Sequence, residues 1–111
     1  MRIAIIGFGS VGRGVAEVIT AKDTGLTVTA IADSKSGIID HSGLDIGAIL
    51  KNKKSTGMCG TPEITVSDII SSDAYDVLVE VSPTNAETGE PALGYIRKAL
   101  AGGKHVVTSN K

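Results

Sequence analysis

The stretch that decides the fold is RIAIIGFGSVGRG, residues 2–14 of a 111-residue chain. Its first half is a short apolar run ending at Gly7, which is typical of a β-strand buried on both faces. Its second half opens a helix, because apolar residues recur from Val11 to Ile19 at helical spacing. Between the halves, residues 7–12 have the pattern G-x-G-x-x-G. The stretch therefore predicts a strand that turns into a helix through glycines.

Two features after this stretch strengthen the pattern, which alone would be weak. Residues 26–32, LTVTAIA, predict a second strand and complete a strand–helix–strand unit, whose strands pair in parallel with a right-handed crossover. Asp33 follows that strand, 21 positions after the last glycine of the pattern. Together these features predict a dinucleotide-binding site.

Each glycine of the pattern has a distinct predicted task. Gly7 allows the tight turn, Gly9 lets the backbone approach a pyrophosphate, and Gly12 lets the helix pack closely on the strand. The free backbone amides of Ser10, Val11 and Gly12 would face the phosphates at the positive end of the helix dipole. Phosphate binding at this loop would need no lysine.

The residues after the second strand leave the choice between NAD and NADP open. Asp33 would accept hydrogen bonds from the adenosine ribose and repel a 2′-phosphate, which favours NAD. The neighbours Ser34, Lys35 and Ser36 offer a cation and hydroxyls that could hold a 2′-phosphate, and Lys53–Lys54 could approach as well. The balance leans slightly toward use of both cofactors.

The remaining chain continues to alternate strands and helices. Residues 34–61 are rich in glycine and predict loops with a short helix around residues 45–53. The later predicted elements are a brief third strand at Ile64–Val66, a small helix capped at Ser67–Asp68, a strand over Asp76–Ser82, a helix over Glu90–Ala101 and a last strand over Lys104–Thr108. The sequence predicts an α/β fold of the Rossmann type, with a doubly wound parallel sheet of five strands in the order 3-2-1-4-5.

The composition fits one dinucleotide-binding domain over residues 1–111 and argues against several classes of partner. With 11 Lys and Arg against 12 Asp and Glu, the chain has no basic field for nucleic acid or an anionic membrane. No apolar stretch is long enough to cross a bilayer, so a cytoplasmic protein is expected. Cys59 is alone and cannot form a disulfide or a cysteine metal site within the chain. Because the last strand ends three residues before the terminus, we expect a fragment without its substrate domain.

Three motifs cluster near the carboxyl ends of the fourth and fifth strands, where ligands bind in such sheets. They are VSPTN at residues 81–85, GEPA at residues 89–92 and GKHVVTSNK at residues 103–111. In this order they are similar to motifs of homoserine dehydrogenase, and the resemblance spans the whole chain. His105 lies at the amino end of its strand, on the opposite edge, so a structural role is expected for it.

The resemblance implies NAD(P)-dependent interconversion of L-homoserine and L-aspartate 4-semialdehyde, on the route to threonine and methionine. It implies that Lys111 is catalytic and lies beside the nicotinamide ring and substrate. A lysine can take a hydroxyl proton only if its surroundings lower its usual pKa of about 10.4. The resemblance also implies that Phe8, Gly9, Ser10 and Val11 surround the pyrophosphate and that Ser82 and Thr84 lie near the nicotinamide ribose. The predicted cofactor contacts are completed by Ser34, Lys35, Pro83, Ser109, Asn110 and Lys111 itself.

Two alternative functions stay open from the sequence. One is the nucleotide-binding domain of a related amino-acid or semialdehyde dehydrogenase, and the other is a non-catalytic nucleotide-sensing module. Homo-oligomerisation is possible through an uncovered edge of the sheet.

Overall fold

The computed structural model describes residues 1–21, 25–33, 35–81 and 92–108. Strands and helices follow one another in the order β1 (Arg2–Ile6), α1 (Ser10–Ala21), β2 (Thr27–Ala32), β3 (Gly37–Ile39), α2 (Ile46–Thr56), α3 (Val66–Ser71), β4 (Val77–Glu80), α4 (Ala92–Ala101) and β5 (His105–Thr108). The strands form one sheet in the order β3-β2-β1-β4-β5. β1 is parallel to β2 and β4, and β4 is parallel to β5. The predicted α/β fold and strand order are confirmed.

The third strand differs from the prediction in both place and direction. The predicted strand at Ile64–Val66 is wrong, because Thr65 there caps α3 and forms a capping box with Asp68. The cap is therefore also two residues earlier than predicted. The actual third strand, β3, is antiparallel to β2. Only four residues separate β2 from β3, and parallel pairing needs a crossover of about a dozen residues or more.

Helix α2 is longer than the predicted short helix. Asp45 caps its first turn by accepting a hydrogen bond from the backbone N–H of Ala48 at 3.2 Å. Gly57 ends the helix with a left-handed φ of 78°, and its N–H donates to the carbonyl of Lys53. This terminus fixes the length of the helix and carries Lys53 in its last turn.

The sheet has an apolar core on each face, as a doubly wound fold requires. Helices α1 and α2 cover one face, where the buried residues include Ile3, Ile5 and Ile31. Helices α3 and α4 cover the other face, where the buried residues include Ile6 and Leu78. None of the described helices is long and apolar enough to span a membrane.

The face of the sheet that packs against α1 and α2 becomes more exposed toward β5. Ile31, Ile5, Val79 and Val107 lie side by side in adjacent strands. Ile31 and Ile5 are fully buried, whereas Val107 is 58% exposed. In the described part of the chain, the apolar face of the sheet thus extends beyond the helices packed on it.

Candidate functional site

The turn between β1 and α1 forms the centre of the candidate site. Gly7 has a φ of 97°, a left-handed conformation that glycine adopts easily, and its N–H donates to the carbonyl of Ala32 at 2.7 Å. Helix α1 begins at Ser10, and the N–H of Arg13 donates to the carbonyl of Gly9 at 3.0 Å. The amides of the first turn precede this bond and have no partner within the helix. The helix thus presents amide donors at the carboxyl end of β1.

Gly9 and Gly12 differ in the space around them, as their predicted tasks require. A Cβ atom built on Gly9 would meet no atom within 4 Å, so the space over this residue is open. A Cβ atom on Gly12 would lie 2.0 Å from the carbonyl oxygen of Gly7. Helix α1 therefore packs backbone to backbone on the turn, with open space beside Gly9 for a ligand.

Phe8 lies inside the glycine turn, but the residue is only 1% exposed and packs in the core. Little of its surface is therefore available to a ligand. Its aromatic ring instead anchors the turn to the core, which holds the neighbouring amides in place.

Asp33 follows β2 and makes hydrogen bonds with both carboxylate oxygens. Oδ1 accepts from the backbone N–H groups of Lys35 and Ser36, each at 2.8 Å, and from the hydroxyl of Ser36 at 3.3 Å. Oδ2 accepts from the ammonium group of Lys53 at 2.5 Å. One oxygen therefore stabilises the turn before β3, and the other forms an ion pair with α2.

These contacts set the charge state of Asp33. Burial disfavours its charged form, but the hydrogen bond from Lys53 and those from the backbone of Lys35 and Ser36 outweigh this effect. The pKa of Asp33 is therefore below its ordinary value. At neutral pH the site holds a carboxylate whose charge is largely balanced by Lys53.

A cleft of about 720 Å³ opens between α1 and α2 beside the glycine turn. Its size falls within the range of about 300–1,000 Å³ for small-molecule sites. Three cations and one carboxylate line it together with apolar and glycine residues; the lining residues are Phe8, Gly9, Arg13, Gly14, Glu17, Leu50, Lys53 and Lys54. The excess of cations suits an anionic ligand that continues from the amides of α1.

A buried polar cluster lies behind Asp33. The hydroxyl of Ser36 accepts a hydrogen bond from the backbone N–H of Cys59 at 3.0 Å and lies 3.5 Å from the Cys59 thiol. Both residues are buried, with exposed fractions of 2% and 1%. Burial raises the pKa of the Cys59 thiol, so this cysteine stays protonated at neutral pH. Its contacts in the core therefore assign Cys59 a structural role.

The carboxyl ends of β4 and β5 are joined by a hydrogen bond between side chains. The Thr108 hydroxyl donates to Oε1 of Glu80 at 3.2 Å. Glu80 is fully buried, at the edge where the sequence predicts the nicotinamide end of the cofactor. This contact ties the ends of the two strands together.

Comparison with known proteins relates this arrangement to a family. The sequence model for Glutamate/Leucine/Phenylalanine/Valine dehydrogenase matches residues 1–83, which include the glycine turn and Asp33. The chain belongs to this dehydrogenase family. The match ends just after β4.

Several matches over nearly the whole chain are with homoserine dehydrogenases. The homoserine dehydrogenase of Methanocaldococcus jannaschii is 39% identical over all of this chain and 37% of its own length. The NAD(+)-dependent homoserine dehydrogenase of Pseudomonas canavaninivorans is 32% identical, over 99% of this chain and 35% of its own. The crystal structure of homoserine dehydrogenase from Thermoplasma acidophilum is 29% identical with a TM-score of 0.84, over 97% of this chain and 34% of that one.

Over nearly its whole length the chain is thus similar to a part of these homoserine dehydrogenases. It spans 37% and 35% of the length of the two curated relatives. Homoserine dehydrogenase is also the family that the sequence motifs resemble.

In this dehydrogenase domain, the structure brings one half of the predicted site together. Gly7, Gly9, Gly12 and Asp33 meet at the carboxyl ends of β1 and β2, and the backbone of Lys35 joins them through its bond to Asp33. Other predicted site residues lie outside the described part of the chain: Ser34, Ser82, Pro83, Thr84, Ser109, Asn110 and Lys111. Nothing is described of the side chains of Ser10 and Val11.

Three contributions to this domain's site could not be read from the sequence. Arg13 lines the cleft from α1, and Glu17 lies one helical turn further along. The spacing of four residues places Arg13 and Glu17 on the same side of α1, but the sequence does not show that this side faces α2. The hydroxyl of Ser36, which the sequence suggested as a ligand for a 2′-phosphate, is instead buried and bonds Asp33.

Proposed function

We propose that this chain binds NAD or NADP as the cofactor domain of an enzyme that interconverts L-homoserine and L-aspartate 4-semialdehyde. The observation that carries the proposal is the open space over Gly9, beside the first turn of α1 and next to a cationic cleft. A diphosphate there would accept hydrogen bonds from the amides of Ser10, Val11 and Gly12. Gly12 allows α1 to approach the turn closely enough for this arrangement.

The domain's task in this function is to hold and orient the cofactor. When bound, the nicotinamide ring supplies the hydride chemistry of the reaction. Amides of α1 would hold the pyrophosphate, and Asp33 the adenosine ribose. Ser82, Pro83, Thr84, Ser109 and Asn110 are proposed to hold the nicotinamide half, by resemblance to homoserine dehydrogenases. Lys111 is proposed to move the proton of the substrate hydroxyl.

The contacts of Asp33 support use of both cofactors. Its Oδ1 already accepts three hydrogen bonds, so only Oδ2 is available to a ribose hydroxyl. Lys53 balances the charge that would otherwise repel a 2′-phosphate. A carboxylate held in this way would discriminate weakly between NAD and NADP.

The substrate, compartment and assembly state belong to the same proposal. The names of the full-length relatives support L-homoserine as substrate, with the remainder of the polypeptide supplying its site. We propose that the protein works in the cytoplasm and forms homo-oligomers in its full-length form. The match to Glutamate/Leucine/Phenylalanine/Valine dehydrogenase favours a second candidate, the cofactor domain of another amino-acid dehydrogenase.

Cofactor binding can be tested on the 111-residue chain by thermal unfolding. A ligand at 100 times its Kd stabilises the folded state by about 2.7 kcal/mol, and each kcal/mol raises Tm by about 4–8 °C in a domain of this size. We expect NAD and NADP at millimolar concentration to raise Tm by several degrees. Adenosine, which lacks the diphosphate, should have little effect. No shift with either dinucleotide would contradict the proposal.

The reaction is tested on the longer polypeptide that contains this chain. NAD(P)H formation with L-homoserine, and none with L-glutamate or L-leucine, is the expected result. Turnover of those amino acids without turnover of L-homoserine would favour the second candidate.

A further inference from the structure

Ser36 connects two segments that are 23 residues apart in sequence, and its side chain is 2% exposed. We infer that Ser36 is a positioning residue that sets how the site discriminates between NAD and NADP. The inference rests on the proposed function. Ser36 would act through Asp33 and Lys53 and would not contact the cofactor itself.

On one side, Ser36 holds the carboxylate of Asp33. Its N–H and its hydroxyl both donate to Oδ1, at 2.8 and 3.3 Å, and its carbonyl accepts from the N–H of Asp33 at 2.9 Å. The two bonds to Oδ1 restrict the rotation of the carboxylate, and the backbone bond holds the turn that carries it. Oδ2 is consequently the oxygen directed at Lys53.

On the other side, the hydroxyl of Ser36 holds the segment of residues 59–61. It accepts hydrogen bonds from the N–H of Cys59 at 3.0 Å and from that of Gly60 at 3.4 Å. Gly37 and Thr61 exchange two backbone hydrogen bonds, at 3.0 and 2.9 Å. A Cβ atom on Gly60 would lie 2.2 Å from the carbonyl oxygen of Gly37, so the two backbones are in direct contact.

This segment leads directly to the helix that carries Lys53. Helix α2 ends at Gly57, whose N–H donates to the carbonyl of Lys53, and two residues later the chain reaches Cys59. The Ser36 hydroxyl therefore restrains both partners of the Asp33–Lys53 ion pair. It bonds the carboxylate directly and restrains the lysine through the end of α2.

Loss of the Ser36 hydroxyl should affect the two cofactors unequally. Asp33 would lose one of three donors to Oδ1, so its carboxylate could turn more freely toward the two ribose hydroxyls of NAD. The end of α2 would lose a buried anchor, so Lys53 would be less well placed to meet a 2′-phosphate. We expect Ser36→Ala to raise the ratio Kd(NADP)/Kd(NAD) by about threefold to tenfold, as for the loss of one hydrogen bond.

The test is calorimetric titration of the unsubstituted and substituted 111-residue chains with NAD and NADP. Because both constants come from one preparation, their ratio does not depend on the fraction of folded protein. Ser36→Thr keeps the hydroxyl and should have the same ratio as the unsubstituted chain. Ser36→Cys nearly preserves the side-chain volume and replaces the alanine variant if that variant does not fold. Ser42→Ala is the matched control, because Ser42 donates to Asp40 through its N–H and hydroxyl in an exposed turn.

The outcomes separate this inference from the proposed function. If the unsubstituted chain binds neither dinucleotide, the proposed function and this inference are both overturned. If it binds them but Ser36→Ala, or Ser36→Cys in its place, leaves the ratio within about twofold of the Ser42→Ala control, Ser36 has only a structural role and the inference alone is overturned.

Discussion

The ammonium group of Lys53 lies 2.5 Å from Oδ2 of Asp33, which joins the last turn of α2 to the carboxyl end of β2. Both side chains are largely buried, with exposed fractions of 24% and 10%. The attraction between two charges shielded to this degree is stronger than on an open surface, and a ligand that replaces either partner must satisfy the other. In the proposed function, the pair would lie at the point where the two nicotinamide cofactors differ.

Replacing Lys53 should weaken NADP binding more than NAD binding. Lys53→Met keeps most of the side-chain volume but removes the cation that balances Asp33 and can meet a 2′-phosphate. Hydrogen bonds to charged groups contribute about 1.5–3 kcal/mol, so we expect NADP affinity to fall about tenfold or more. Calorimetric titration measures both constants. Lys54→Met is the control, since Lys54 lines the same cleft but is exposed; an equal loss of NADP affinity there would contradict a specific role for Lys53.

A methyl group at Gly9 should impair cofactor binding without unfolding the domain. The added Cβ meets no atom within 4 Å, so the fold has room for it, but it would occupy space that the pyrophosphate needs. We expect Gly9→Ala to reduce the thermal shift with NAD and NADP strongly, at an almost unchanged Tm without ligand. Gly102→Ala, at the end of α4, should leave the shift intact. Full binding by the Gly9 variant would mean that the diphosphate lies elsewhere.

Substitution by alanine at two glycines of α1 should change the free energy of unfolding in opposite directions. At Gly12 the new Cβ would lie 2.0 Å from the carbonyl oxygen of Gly7, so the helix must move, at a cost of about 1–3 kcal/mol. At Gly14 nothing lies within 4 Å, so alanine should stabilise the domain by about 0.5–1 kcal/mol through helix propensity. Urea unfolding of both variants measures the difference. Equal changes in the free energy of unfolding would show that α1 is not held against the turn at Gly12.

The ion pair between Arg2 and Asp76, at the amino ends of β1 and β4, should make the stability of the fold depend on pH in the acidic range. Arg2 donates to both oxygens of Asp76, and its guanidinium, as the largest cause, lowers the pKa of that carboxyl to about 2. Because the folded pKa is below the ordinary value of 3.8, the stabilisation is complete above about pH 4 and is lost as the pH falls toward 2. Asp76→Asn should lower the free energy of unfolding at pH 7 and flatten its decline between pH 4 and pH 2.

Urea unfolding at several pH values measures this slope. Glu63→Gln, which removes a charge from an exposed turn, should leave the slope as it is in the unsubstituted chain. A slope that is the same in the Asp76 variant would assign the acid sensitivity to other carboxylates.

The local sequence was sufficient for the regular elements. Continuous apolar runs predicted the parallel strands, and helical spacing from Val11 to Ile19 predicted the helix that the structure shows as α1, Ser10–Ala21. The spacing from Gly12 to Asp33 predicted that both would meet beside the glycine turn. Residues 34–61 were read less well, because β3 has only three residues and no alternating pattern marks so short a strand.

The sequence by itself determined the alternation of strands and helices and the glycine turn, because these depend on local periodicity, and the few topologies that short connections allow predicted the strand order, though not the segment that forms its third strand. Only the tertiary structure decided that β3 runs antiparallel, that Lys53 reaches Asp33 and that Ser36 bonds Cys59. These last two contacts join residues 20 and 23 positions apart. Such contacts arise from the packing of α2 and the segment after it against the sheet, and no repeating pattern in the sequence predicts them.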